Sequence, residues 1–312
     1  MNNHFTPIQA PDKQPQPLIH FLSRFIQFID AKPKTIEAYS RALKQFFKHL
    51  SAEQIEKPQR ADILFYRDQL KASCKPNTVN AYLIAVKRFF QWLSAEGYYE
   101  NIAEGIKGAK IGKKSFKKDA LTSRQAREVI EHIKGESIAD KRNLALFLLM
   151  VTTGLRTIEV SRANVEDIRS AADEAVLYVQ GKGQDEKSEY VKLAEPVEKA
   201  IREYLAARGS AEPGAPLFMS KSNNSAGERM TTRSISGIVK AAFIKAGYHS
   251  ERITAHSLRH TAATLNLMNG ASLEETQQLL RHADINTTLI YAQHIRRSEN
   301  NSEHRIAAAI FN

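Results

Sequence analysis

The sequence predicts a mainly α-helical protein of two domains, with a small antiparallel β-sheet confined to the second. Three observations carry this. Over residues 18–97, apolar residues recur three and four apart in four successive runs, with no strand-like alternation between them. Residues 98–120 then break the rhythm with Gly105, Gly108, Gly112 and six lysines. Beyond Leu121 the helical period resumes, but short Val- and Tyr-containing runs near 165–193, parted by Gly181-Lys182-Gly183, read as strands. A chain of 312 residues is long enough for two domains, each with its own core.

The first 17 residues are polar, with four prolines and no apolar signal core, and read as a short disordered arm. Leu18, Leu22, Phe25 and Ile29 step at helical spacing. Pro33 suits a first helical turn, and Ile36, Tyr39, Leu43, Phe46 and Leu50 form the face of a second helix. A third runs from about Arg60 to Ser73, with Ile63, Leu64, Tyr66 and Leu70 inside, and Lys75-Pro76-Asn77 breaks it. Val79, Leu83, Val86, Phe90 and Leu93 line a fourth that Gly97 stops. Residues 18–97 are therefore a small all-helical domain.

Charge marks this front part. The formal net charge is +11, and the sequence pI is near 9.6. Residues 1–118 hold 20 Lys+Arg against 10 Asp+Glu, whereas the remainder is nearly balanced. Such an excess points to a polyanion, nucleic acid or an anionic membrane surface. Arg41, Lys44 and Lys48 share one helix, Lys87 and Arg88 another, and Asn77, Thr78 and Asn80 open the latter. Basic and amide side chains near a helix N-terminus suit phosphate contact and base-edge reading. A plain solvated face explains any one of them equally well. Residues 98–120 read as a flexible basic linker able to track a phosphate backbone and to let two domains close around a duplex. Cys74 is the only cysteine, which excludes an internal disulfide framework and a cysteine-rich zinc site and fits a reducing cytoplasm. No apolar run approaches a membrane span.

The second domain, 121–312, opens with Thr122 or Ser123 as a helix cap. An apolar helix, Asn143 to Val151, ends at Thr152-Thr153-Gly154, which places Arg156 at the next helix N-terminus with Glu159 one turn on to hold it. A purely structural Arg–Glu pair reads the same way. Strands are expected at Val165 to Arg169, Glu174 to Gln180 and Glu189 to Leu193, with Lys182 on the hairpin tip between the last two. Gly181-Lys182-Gly183 lacks the spacing of a nucleotide-binding loop. A helix Pro196 to Arg208, a short Leu217-Phe218 strand and a helix Thr232 to Ala246 follow. Past a polar hinge at Ser298 to Ser302, Arg305 to Phe311 forms an apolar tail helix that fits a neighbouring subunit as readily as its own.

The stretch Ala255 to Tyr291 holds the chemistry. His256 and Arg259 share a helix face, and His282 lies nine positions before Tyr291, far enough for a turn to bring them together. A guanidinium fork binds phosphate oxygens, an imidazole moves protons, and a deprotonated phenol is a nucleophile.

These residues resemble the tyrosine recombinase (phage integrase) family. Thr153-Gly154-Leu155-Arg156 matches its arginine motif, with Glu159 following. Lys182 matches its hairpin lysine, and His256 and Arg259, trailed by His260, match its H-x-x-R. Leu280-Arg281-His282 matches its second histidine, with Arg281 where glycine is usual. Tyr291 in Thr287-Thr288-Leu289-Ile290-Tyr291 matches its nucleophile. The resemblance covers nearly the whole chain. It implies a helical, SAM-like core-binding domain ahead of an α+β catalytic domain, as in the two-domain, Xer-like recombinases and mobile-element integrases.

The resemblance implies site-specific cutting and rejoining of double-stranded DNA through a 3′-phosphotyrosyl bond, for integration and excision of a mobile element or for dimer resolution. Arg156 and Arg259 would bind the non-bridging oxygens, Lys182 would protonate the leaving 5′-oxygen, His256 would assist the tyrosine proton, and His282 would hydrogen-bond the phosphate. No cofactor and no metal are implied. A homotetramer on two DNA sites, joined by exchange of the tail at 306–311, is expected. Two alternatives are a type IB topoisomerase-like enzyme and a DNA-binding regulator without catalysis; the two-domain length and the complete set of six residues weigh against them.

Overall fold

The computed structural model describes residues 17–112, 119–181, 184–209, 212, 214–221 and 226–311. Residues 1–16 of the expected arm, the lysines at 113–118, and Lys182 with Gly183 lie outside the described residues. The chain forms two compact units, divided between residues 114 and 115.

In the first unit a 3-10 turn, Leu18–Phe21, leads into α1 (Leu22–Phe28), α2 (Pro33–Ala52), α3 (Arg60–Ser73) and α4 (Pro76–Ala95). Pro33 and Pro76 open their helices, where a missing N–H loses no bond. At the start of α3 the Asp62 carboxylate accepts the Gln59 backbone N–H at 2.6 Å, closing a capping box. Leu43, Phe46, Leu50, Ile63, Tyr66, Leu70, Val79, Leu83, Val86, Phe90 and Leu93 are buried as their spacing predicts; Ile36 and Tyr39 are only half-buried. Phe89 packs edge-on against Phe25 (5.3 Å) and Phe47 (5.5 Å), the geometry ring quadrupoles favour.

The expected linker departs from expectation. Its first part packs back on this unit: Ala103 and Ile106 are buried in the helical core. The segment has no ladder of its own, so its carbonyls take donors from the helices. Arg60 Nη1 donates to the Glu104 carbonyl, and Lys87 Nζ to that of Ile106. The Asn80 side chain donates to Ala109 O at 3.1 Å and accepts Ala109 N–H at 2.8 Å. Asn80 and Lys87, read from the sequence as DNA-facing, are thus turned onto their own backbone. They lie seven apart on one stripe of α4, which is the face this segment covers. A Cβ on Gly108 would fall 2.1 Å from Asn80 Oδ1, so the close approach requires glycine.

The second unit contains α5 (Ser123–Ile133), α6 (Ile138–Thr153), α7 (Thr157–Arg162), β1 (Ile168–Ala171), β2 (Glu174–Val179), β3 (Glu189–Lys192), α8 (Glu195–Arg208), α9 (Thr232–Lys245), α10 (Ala255–Met268), α11 (Leu273–Leu280), α12 (Asn286–Glu299) and α13 (Ser302–Phe311). α6 is the central helix, packed on α5, α8 and α10. It starts five residues before its apolar run because Ser137 caps it, accepting Asp140 N–H at 3.1 Å. The three strands form an antiparallel sheet in the order β1-β2-β3, with Ile168 opposite Leu177 and Tyr178 opposite Tyr190. Leu177, Val179 and Val191 enter the core.

Three sequence expectations are corrected. Val165–Asp167 is a 3-10 turn, closed by the Asn164–Asp167 capping box, so β1 begins only at Ile168. Leu217 and Phe218 are buried but form no strand; single bridges at Asn164–Pro216 and Met219–Arg229 hold that segment. The hinge before the tail narrows to Asn300 and Asn301, since α12 extends to Glu299. No residue of α13 is buried, and Phe311 is 82% exposed. Among the described residues no helix is long and apolar enough to cross a membrane.

Candidate active site

Gly154 ends α6 in the left-handed conformation, at φ +63°, and delivers Arg156 to the N-cap of α7. A Cβ on Gly154 would lie 2.7 Å from Leu280 Cδ2, so this turn also packs directly on the end of α11. Glu159 accepts the Arg156 backbone N–H at 2.7 Å and its Nη1 at 2.9 Å. One carboxylate thereby caps α7 and aims the guanidinium. Its side chain is fully buried, which is tolerable only because it is paired.

Arg259 lies on α10 and is 2% exposed. Its Nη1 donates to Gly154 O at 2.6 Å and its Nη2 to Leu280 O, tying the α6–α7 turn to the end of α11. Three of its five N–H groups remain for another acceptor. Burial, then neighbouring Arg156, pulls its pKa down to about 9, so the group stays charged at neutral pH. His256, one turn earlier, is exposed. Its ring stands nearly perpendicular to that of His260, 4.6 Å away, and His260 is 5.4 Å from the Tyr291 ring. His260 was noted in the sequence without a role; the fold sets its ring beside those of both His256 and Tyr291.

α11 ends in a Schellman turn, with Arg281 N–H donating to Gln278 O (3.0 Å) and His282 N–H to Gln277 O (3.1 Å). Arg281 holds the left-handed position at φ +52°, which costs a non-glycine residue about 1 kcal/mol or more. The turn folds His282 back on α12, where its Nδ1 lies 2.9 Å from the hydroxyl of buried Thr288. When that hydroxyl donates to Nδ1, the ring proton sits on Nε2, available to another acceptor. Tyr291, one turn beyond Thr288, is 4% exposed and packs with Ala263 and Leu280. Burial raises its hydroxyl pKa, and the charges of Arg259 and Arg156 pull the other way. Deprotonation therefore needs a base.

A groove of about 750 Å³ is lined by Arg156, His256 and Arg259 and by Arg233, Ser236 and Lys240 of α9. The three α9 residues were missed in the sequence, although their spacing of three and four is a legible polar stripe. Lys240 Nζ also donates to Ser250 O at 2.8 Å. The structure thus gathers Arg156, His256, Arg259, His282 and Tyr291 in one cluster. Lys182 lies outside the described residues, between β2 and β3.

The other candidates stand on the first unit. Arg41 and Lys44 are exposed one turn apart on α2, Arg41 paired with Glu37 at 2.9 Å. Asn77 is exposed and Thr78 half-buried in the first turn of α4. Arg88 is exposed and donates to Gln91 at 3.3 Å, beside a groove lined by Phe28 and Trp92 and away from the stripe of Lys87.

Burial, and after it nearby cations, holds the pKa of His260 and of His282 at about 4. In the unfolded chain both take up protons as pH falls below about 6.5, and the folded protein resists this. Their stabilising contribution is complete above pH 6.5 and is lost as pH falls toward 4. After discounting for partial solvation, the pair should lose on the order of 2 kcal/mol. Melting temperatures from pH 7 to 4.5 should fall less steeply for His282→Asn than for wild type; equal slopes would refute the assignment.

Two guanidinium groups lining one groove, with an imidazole donor and a phenol on the neighbouring helices, suit attack on a phosphodiester. Known proteins agree. Residues 119–297 match the phage integrase family, and residues 22–97 match the phage integrase N-terminal SAM-like domain. The chain is 32% identical over 293 residues to tyrosine recombinase XerC of Pelobacter propionicus, spanning 88% of this chain and 91% of that one. Its fold is similar to XerH site-specific recombinase bound to its difH substrate before cleavage, with TM-score 0.71, 19% identity and coverage of 93% and 98%. It is also similar to a lambda integrase tetramer bound to a Holliday junction, with TM-score 0.68, 18% identity and coverage of 89% and 78%. The chain belongs to the phage integrase family, the tyrosine recombinases, which break and rejoin DNA.

Proposed function

We propose that this chain cuts and rejoins duplex DNA at a defined site with Tyr291 as nucleophile. The observation that carries the reading is that Arg259 ties the turn leading to Arg156 to the end of α11 that leads to His282, with Tyr291 packed on Leu280 of that same helix. The Tyr291 oxygen attacks phosphorus, the bond to the 5′-oxygen breaks, and a 3′-phosphotyrosyl bond and a 5′-hydroxyl result. His256 takes up the phenol proton, and Lys182 supplies one to the departing oxygen. Arg156 and Arg259 hold the non-bridging oxygens as charge builds in the five-coordinate state, and Nε2 of His282 donates to one of them. Attack by the 5′-hydroxyl of a second strand reverses the step, so bond energy is conserved.

The same proposal includes a homotetramer on two DNA sites. The exposed apolar face of α13 behind a two-residue break supports tail exchange between protomers. The reaction serves either integration and excision of a mobile element or dimer resolution, and the sequence cut distinguishes the two. The test is a set of nicked duplexes tiled from DNA flanking the gene, which trap the cleaved state. A denaturant-resistant adduct mapping to Tyr291 supports the reading; tight binding without any adduct counts against it.

Arg41, Lys44, Asn77, Thr78 and Arg88 are proposed to contact this DNA from the first unit. Arg41→Ala and Lys44→Ala should each flatten the salt dependence of binding by about one unit of slope, whereas Lys87→Ala should not, its ammonium being turned to the Ile106 carbonyl. Unchanged slopes in the first two variants would remove α2 from the interface.

A further inference from the structure

We propose that Arg281 is a positioning residue of the phosphate site, coupling the turn that carries His282 to the helix start that carries Arg156. The inference rests on the recombinase reading above and deepens it. The left-handed end of a Schellman turn is a place for glycine, and an arginine stands there. Its side chain is only 6% exposed. Nη2 donates to Glu159 Oε2 at 3.0 Å, and Nη1 donates to Leu279 O at 2.9 Å. Glu159 is the residue that caps α7 and aims Arg156. A single buried carboxylate is therefore shared between the Arg156 helix and the His282 turn.

Charge gives this sharing a purpose. Arg156, Arg259 and Arg281 set three positive charges against one from Glu159, a surplus of two. A phosphodiester carries one negative charge, and its five-coordinate state approaches two. Without Arg281 the surplus is one, and Glu159 has only Arg156 to face, so the carboxylate draws that guanidinium away from the phosphate. With Arg281 bound to Oε2, Arg156 keeps N–H groups for the substrate. The contribution is thus greatest where charge builds.

The test compares single-turnover cleavage of a nicked duplex, DNA affinity and melting temperature for wild type, Arg281→Gly and Arg281→Lys. Glycine suits the left-handed turn and offsets part of the loss of the buried pair with Glu159, so Arg281→Gly should still fold, melting moderately below wild type. It should bind DNA within about threefold of wild type yet cleave about 30-fold more slowly, a scale set by small misplacements in active sites. Arg281→Lys, which keeps the charge without the fork, should recover part of the rate. Free of DNA, the Arg156 Nε resonance should move in Arg281→Gly. Wild-type cleavage by Arg281→Gly, or an unmoved Arg156 resonance, overturns the inference while leaving the recombinase reading intact. Absence of a Tyr291 adduct in wild type overturns that reading instead, and the Arg156 resonance still decides the coupling.

Discussion

Tyr291→Phe is expected to abolish covalent attachment to DNA, with the cleavage rate falling about 10⁴-fold or more, as when an essential nucleophile is removed. Phenylalanine fills the same volume beside Ala263, Leu280 and the His260 ring, so packing is preserved. Only the oxygen that would bond to phosphorus is lost. Arg156 and Arg259 are untouched, so affinity for the target duplex should stay within about twofold, the phosphate contacts supplying most of it. Denaturing gels on nicked duplexes give the first quantity and fluorescence anisotropy the second. Cleavage that persists in Tyr291→Phe would show that another group attacks.

The second large effect separates two arginines that look equivalent in sequence. Arg259→Ala should lose both catalysis and fold stability. Its guanidinium supplies donors to Gly154 O and Leu280 O, and both carbonyls would be left buried beside a cavity. A loss of about 3–5 kcal/mol follows from breaking such a buried network. Arg156 is half-buried, and its side chain bonds to Glu159. Arg156→Ala should slow cleavage by about 10³-fold, as for removal of one oxyanion donor, with a smaller stability loss. Thermal melts beside single-turnover rates test this; equal melting temperatures in the two variants would refute the bracing role of Arg259.

Much of the architecture was legible because it rests on local signals. The ends of α3 follow from its apolar period, and Pro33 and Pro76 mark the starts of α2 and α4. The placement of Arg156 at a helix start follows from Gly154 and Glu159. The misreadings arose where tertiary partners decide. Asn80 and Lys87 were read as surface groups because nothing in their own helix reveals that residues 103–109 return to cover it. Val165 was read as strand because its β-branched side chain outweighed a capping box closed by Asp167. Arg281 looked like a mere departure from glycine, since its partner Glu159 is 122 residues away in the chain. The α9 residues Arg233, Ser236 and Lys240 line the groove only because α9 packs on α7 and α10.

The bracing by Arg259 has a consequence for reading activity out of genomes. A lineage that had stopped recombining DNA would still be selected to keep this arginine, because the α6–α7 turn and the end of α11 are joined through it. Its persistence there would record folding, not chemistry. The phenol oxygen of Tyr291 is different, since phenylalanine substitutes for its ring at little cost to packing. Among decayed copies of this gene, loss of the tyrosine should come before loss of the arginine, and the order in which the two disappear dates the end of catalysis.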